Sequence, residues 1–234
     1  WQIGDKKMVV VGTPIMRALP MFLAKNLPIQ QNRTIASIIR KTDHIQCIDT
    51  DDVSLTARKV ICTAPAPQTA TLVADDFPDL AATASHAAYA PCLTVMLGLA
   101  DDEALPKIPI KSPKHNIGWA LSETARPAAT QIRPALTIQA DAAWSAAHKD
   151  DTTDSIIKQL IEKYQLATGC QISSVLHAHA HRWLYAKVTT PSPVDAIICQ
   201  KNLAIAGDWL GGARIEHAFT SGQRAFLALN QTQA

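Results

Sequence analysis

Two stretches of this sequence hold residues whose types and spacing could do chemistry. In LAIAGDWLGGARIEHAFTSGQRAFLAL, residues 203–229, a short apolar run ends on Gly207-Asp208, Gly211-Gly212 permits a tight turn, and a helical pattern begins near Arg214. A strand that delivers a carboxylate beside a glycine turn and a helix N-terminus can bind a ligand. The carboxylate accepts hydrogen bonds from sugar-like hydroxyls, and the free N–H groups of the first helical turn favour negative charge. On spacing alone, the same residues also read as a plain strand–turn–helix connection.

The second stretch is VLHAHAHRWLYA, residues 175–186. At a strand's period of two, His177, His179, His181, Trp183 and Tyr185 share one face, and Ala178, Ala180 and Arg182 lie on the other. Three alternating imidazoles can converge on one metal ion, but no acidic partner that would orient them is evident nearby, so no metal is expected. Arg182 reads equally as a structural ion pair or a substrate contact, and Trp183 and Tyr185 are assigned to the substrate side. No G-x-S-x-G elbow, phosphate-binding Walker loop or HExxH helix is present. Ser145 lies near Asp141 and His148 in sequence, which is no evidence of a triad. Asp101, Asp102 and Glu103 read as solvated loop charges.

The elements that must position these residues follow from periodicity. Residues 203–206 form a strand, and the helix after it is expected to bury Ile215, Ala218, Phe219, Gly222, Ala225, Phe226 and Leu229. RTIASIIR, HIQCID and KVICT predict three strands of an antiparallel meander, which APAPQTAT ends because its prolines cannot continue a central strand. Thr13-Pro14 opens a helix whose face is Ile15, Leu19, Phe22 and Leu23, with Pro20 shortening or kinking it. An Ala-rich helix over 75–91, a buried strand over 92–99, a loop over 100–116 and strands IGWALS and ALTIQA follow. The clearest helix has Asp154 as its cap, an apolar face of Ile156, Ile157, Leu160, Ile161 and Tyr164, and Gly169 as its stop.

A chain of 234 residues with 47% hydrophobic content can bury one large core or two small ones, which excludes disordered and fibrous classes. The 22 basic and 20 acidic residues leave a charge of +2 with no Lys/Arg block, which speaks against nucleic acid as a partner. The five cysteines form no CxxC pair and most sit in apolar runs, so a reducing, cytoplasmic compartment is expected. No run approaches the roughly 20 apolar residues of a membrane span, and WQIGDKK has no signal-peptide character, so no membrane partner is expected. A chain that opens on Trp1 is expected to be processed or truncated, with Met8 as an internal start candidate.

GDWLGGARIEHAFTSG resembles the C-terminal flavin signature of the renalase-like branch of the flavin-dependent amine oxidases, whose usual form is GDW, a glycine turn, R-V-E-G-A and SG. HRWLYA at 181–186 resembles a second signature of that branch, VGTPIMRALPMFLAKNL the segment that opens its second half, and VICTAPAPQT its crossover at the flavin. These stretches span nearly the whole chain in the family's order. The resemblance implies an α/β chain with an FAD/NAD(P)-binding, glutathione-reductase-type fold that lacks its N-terminal βαβ unit, plus a mixed-sheet substrate domain. It implies an incomplete FAD-binding domain over 1–70 and 196–234, and a substrate domain over 71–195.

By the same resemblance FAD is the cofactor, and hydride transfer from a small dihydronicotinamide or amine substrate is the reaction. Gly207 and Asp208 would hold the ribityl or pyrophosphate part. The N–H groups around Arg214, Ile215, Glu216 and Ala218 would face the flavin edge, and Thr34 and Ile35 would lie near the adenine half. No side-chain acid or base is required, because the flavin carries the chemistry. The sequence departs from the family pattern at His217, where glycine is usual, and in having no G-x-G-x-x-G loop, so FAD binding by the chain alone is expected to be weak or nil. The alternative expectation is a flavin-free, non-catalytic module that binds a partner.

Overall fold

A computed structural model describes residues 2–3, 7–8, 12–13, 15–100, 105–125, 134–193 and 195–231, the first four by backbone alone. Pro14 and the acidic run Asp101, Asp102 and Glu103 lie outside the described residues.

In chain order the elements are β1 (Gln2–Ile3), β2 (Lys7–Met8), α1 (Ala18–Ala24), β3 (Ile35–Arg40), β4 (Ile45–Asp49), β5 (Ser54–Ala57), β6 (Val60–Cys62), α2 (Ala66–Val73) and α3 (Pro78–Ser85). Then come β7 (Ala88–Leu99), β8 (Ile110–Ser112), β9 (Ile117–Ser122), β10 (Ala135–Ala140), α4 (Ala142–Ala147) and α5 (Thr153–Thr168). The chain continues through β11 (Val175–Thr190), β12 (Cys199–Gln200), β13 (Leu203–Ile205) and α6 (Ile215–Gln231).

They form two compact units. One holds Trp1–Ile29 and Pro91–Ala186, the other Gln30–Ala90 and Lys187–Ala234. The long strands β7 and β11 carry the chain from one unit to the other. This division differs from the boundaries read from the sequence. Residues 1–29 group with the mixed sheet, whereas residues 71–90 join the parallel strands because Val73, Phe77, Leu80 and Ala84 share a core with Leu203 and Ile205.

The first unit is built on a five-stranded sheet of order β11-β7-β10-β9-β8, antiparallel between β7, β10, β9 and β8. Leu93, Val95, Leu97 and Leu99 of β7 and Leu136 and Ile138 of β10 alternate onto one face, where Ile156, Leu160 and Tyr164 of α5 complete the core. Thr152 rather than Asp154 caps α5, its hydroxyl accepting the Ser155 N–H at 3.3 Å, while Asp154 sits in the first turn. Gly169 closes the helix as expected. The strand over 92–99 is fully buried on the Leu93, Val95, Leu97 and Leu99 face and only partly on the other, where Thr94 is buried and Met96 exposed. The first helix is shorter than read from sequence, and Pro20 falls in its first turn, where a missing N–H is tolerated. None of its residues is buried.

The second unit contains a three-stranded sheet β12-β13-β6 and a three-stranded meander β3-β4-β5. The meander is antiparallel, as expected, but its third strand is Ser54–Ala57 and not KVICT. Val60–Cys62 instead pairs parallel with β13, Val60 opposite Leu203 and Cys62 opposite Ile205. The helix expected over 75–91 is shorter: α3 spans Pro78–Ser85 and the chain is already in β7 from Ala88, while a further helix, α2, forms before it at Ala66–Val73. Asp49 is buried and organises the β4–β5 turn: its carboxylate accepts from the N–H groups of Asp51 and Val53 and from the Arg33 guanidinium at 2.6 Å. Backbone hydrogen bonds, from Val53 above all, hold its carboxyl below the usual range.

Of the face expected to be buried on α6, Ala225 and Leu229 are buried and pack with Ala204 and Ala206; Ser221, which was not expected there, is buried as well. Ile215, Phe219 and Phe226 are exposed. Among the described residues no helix is long and apolar enough to cross a membrane.

Candidate functional site

The site candidate in the second unit forms where the parallel strands β6 and β13 end together. Leu203, Ala204 and Ile205 are fully buried, so the strand is fixed on both faces and delivers Gly207-Asp208 at its carboxyl end. Ligands of open parallel sheets bind at this end, because the helix N-termini that follow each strand gather there.

Gly207 is required by close packing. A Cβ there would meet the Trp209 indole nitrogen at 2.2 Å, because that buried ring folds back over the turn. The indole N–H donates to the Ala64 carbonyl at 3.3 Å and so ties the end of β13 to the loop after β6. The Gly207 N–H donates to the Ser221 hydroxyl at 2.9 Å, which fixes the turn against α6. Asp208 is half-buried, and its own carbonyl accepts the Gly212 N–H at 3.1 Å, which closes the glycine turn.

The start of α2 completes the constellation. Its Ala66 N–H donates to the Tyr89 hydroxyl at 3.3 Å. Burial first, and then the negative charge of Asp208, push the Tyr89 hydroxyl above its usual range. A carboxylate, a phenol and the first turns of two helices therefore share the carboxyl end of two strands. Tyr89, Trp209 and Ser221 were not singled out from the sequence. Ser221 and Trp209 lie within the GDW…SG string, whereas nothing local marks Tyr89.

Of the expected site residues, Gly207, Asp208, Arg214, Ile215, Glu216 and Ala218 fall on one turn and the first turn of α6. The Arg214 carbonyl accepts the N–H groups of His217 and Ala218, so Arg214 opens the helix. Thr34 and Ile35 stand at the start of the meander, where the Thr34 carbonyl accepts the Thr50 N–H at 2.9 Å. No hydrogen bond among the described residues joins them to the Asp208 turn. The imidazole of His217 lies against Gly212, so close that a Cβ on that glycine would meet the ring at 2.3 Å. Its Nδ1 is buried and has no hydrogen-bond partner among the described residues. A polar atom left unpaired beside the helix N-terminus is available to a ligand.

In the first unit, the structure puts His177, His179, His181, Trp183 and Tyr185 along one face of β11. The His181 and Trp183 ring centroids are 4.1 Å apart, those of His179 and His181 6.4 Å. Trp183 and Tyr185 are exposed. Among the described residues no three metal-ligating side chains converge. Arg182 projects the other way and donates to the carbonyls of Lys149 and Asp151, holding the loop after α4.

Solved structures share this fold. The chain is similar to the Exiguobacterium sp. 255-15 protein assigned as a protoporphyrinogen oxidase, with a TM-score of 0.68 and 12% identity over 93% of this chain and 51% of the other. It is also similar to a putrescine oxidase variant with redesigned cofactor binding, TM-score 0.66 and 9% identity over 92% and 52%. A third is cyclohexylamine oxidase from Brevibacterium oxydans IH-35A, TM-score 0.59 and 14% identity over 85% and 48%. The chain has the fold of these oxidases. It spans about half the length of each. No protein-family profile matches the sequence.

Proposed function

We propose that this chain is the C-terminal part of an FAD-dependent oxidoreductase of the renalase-like branch of the amine oxidases, and that Asp208 and the first turn of α6 bind the flavin nucleotide. The observation that carries the proposal is the half-buried Asp208 carboxylate at the joint carboxyl end of β6 and β13, beside Tyr89 and two helix N-termini. Oxidases that share the fold across nearly the whole chain support it, as does the GDW…SG signature.

The residues present fit such a group. Asp208 would accept hydrogen bonds from ribityl hydroxyls, and the first-turn N–H groups of Arg214, Ile215 and Glu216 would favour an anionic ring edge. The unpaired Nδ1 of His217 lies beside them. FAD, when bound, supplies the capacity to accept a hydride from a small reduced substrate such as a dihydronicotinamide or an amine. The chain's own residues bind, orient and tune. Trp183 and Tyr185 are assigned to the substrate side, whereas Arg182 serves structure through the two carbonyls it holds.

The test is spectroscopic. Protein expressed with the coding sequence that precedes this chain should be yellow and release FAD on denaturation, and a colourless extended protein would refute the proposal. The short chain alone should bind FAD weakly or not at all.

A further inference from the structure

We infer that His217 is a ligand-responsive positioning residue of the Asp208 turn: its imidazole covers the turn in the free chain and, when a nucleotide occupies it, leaves Gly212 and pairs Nδ1 with the ligand. The inference rests on the nucleotide reading of the site. It adds a residue at which the sequence departs from the pattern it resembles.

The ring lies on the turn itself. The Gly212 N–H donates to the Asp208 carbonyl at 3.1 Å, which closes residues 208–212 into a turn directly before α6. Gly211 and Gly212 have φ of +121° and +150°, angles that residues with a Cβ rarely adopt. A Cβ on Gly212 would meet Cε1 of His217 at 2.3 Å, Nδ1 at 2.4 Å and Nε2 at 3.3 Å, so the imidazole rests edge-on against the bare Cα. The backbone of His217 is tied at both ends. Its N–H donates to the Arg214 carbonyl at 3.0 Å, and its carbonyl accepts the Thr220 hydroxyl at 3.2 Å. Movement of the ring is therefore a side-chain rotation, which needs no rearrangement of α6.

The resting position is satisfied by packing and not by hydrogen bonding. Nδ1 is buried and has no partner among the described residues. An imidazole nitrogen either donates or accepts, and one withdrawn from water with neither loses its hydration uncompensated. Pairing with water requires the ring to give up its contact with Gly212. A ligand lying in the turn supplies a partner and a replacement contact together. Nucleotides suit the position because their hydroxyls donate and accept and their phosphates accept, so Nδ1 finds a partner in either tautomer. The first-turn N–H groups of α6 favour the phosphate as well.

The experiment follows the His217 ring and the Gly212 amide by NMR in this chain. FAD is titrated to millimolar concentration, and separately ADP-ribose, which carries hydroxyls and a pyrophosphate without the flavin. A nuclear Overhauser contact between the His217 ring and the Gly212 Cα protons is expected in the free chain. Ligand should abolish it and move the Nδ1 and Gly212 amide resonances together. His217→Phe keeps a ring over Gly212 without the nitrogen and should bind about 5- to 10-fold more weakly. His217→Asn, whose side-chain amide can stand in for Nδ1, should stay within about 3-fold of wild type. Circular dichroism checks the fold of both. Absence of the ring contact in the free chain, a ring that stays on Gly212 with ligand bound, no response to either ligand, wild-type affinity in His217→Phe, or equal losses in the two variants would each overturn the inference. A response to ADP-ballast-free FAD is not needed for it: a response to ADP-ribose alone supports His217 and counts against the flavin reading, whereas flavin binding by the upstream-extended protein with the ring still on Gly212 would sink this inference alone.

Discussion

Asp208 and Tyr89 come together at the carboxyl end of β6 and β13, and the second largest influence raising the Tyr89 hydroxyl, after burial, is the Asp208 charge. A tyrosine shifted upward favours the neutral phenol in the folded state. The stability this contributes is fully present below the ordinary value of about 10 and is lost as pH rises through the folded value.

Asp208→Asn removes the charge and leaves the burial. The Tyr89 titration should then move down towards its ordinary value, read by NMR of tyrosine-labelled protein. An unmoved titration would separate the two residues and dissolve the constellation.

Gly207→Ala should destabilise the second unit by about 1–3 kcal/mol, since the new methyl meets a buried indole held by the Ala64 carbonyl. Urea unfolding followed by tryptophan fluorescence reads this directly. Wild-type stability in the variant would mean that Trp209 does not fold over the turn.

The Asp49 carboxylate makes the turn between β4 and β5 sensitive to acid. Its folded value is lowered, so its contribution is present above the unfolded value of about 3.9 and is lost as pH falls through the folded value. Comparing the pH dependence of urea stability for the wild type and Asp49→Asn isolates it. The variant should lack the part of the acid loss that Asp49 accounts for, and parallel curves would count against the assignment.

Arg182→Met should cost about 1–3 kcal/mol of stability in the first unit, because two loop carbonyls lose their donor. Thermal melting checks the loss. A stable variant with impaired substrate turnover would return Arg182 to the substrate side.

How much of this was legible in the sequence follows from which information is local. The run from Leu203 through the glycine turn into α6 is contiguous, and its elements formed where periodicity put them. The fate of KVICT was not legible, since three apolar residues carry no mark of their partner, and the partner of β6 lies far along the chain at β13. Tyr89 joins the site through the hydrogen bond its hydroxyl accepts from the Ala66 N–H, a contact no local pattern marks. On α6 the spacing identified the apolar residues correctly but not their cover. Periodicity reports a face that wants burial, and Phe219 and Phe226 have none among the described residues. The cap of α5 moved from Asp154 to Thr152 because either side chain can accept a first-turn N–H, and the backbone bends at Thr152.

Asp208 and the α6 N-terminus are proposed to bind a flavin nucleotide. The most direct measurement is an FAD titration, followed by flavin absorbance, of the upstream-extended protein and its Asp208→Ala variant. Saturable 1:1 binding that the substitution weakens at least about 10-fold, with the fold unchanged by circular dichroism, is the predicted result. Equal affinity in the two proteins would remove Asp208 from the site, and no binding by the extended wild type would contradict the claim as a whole.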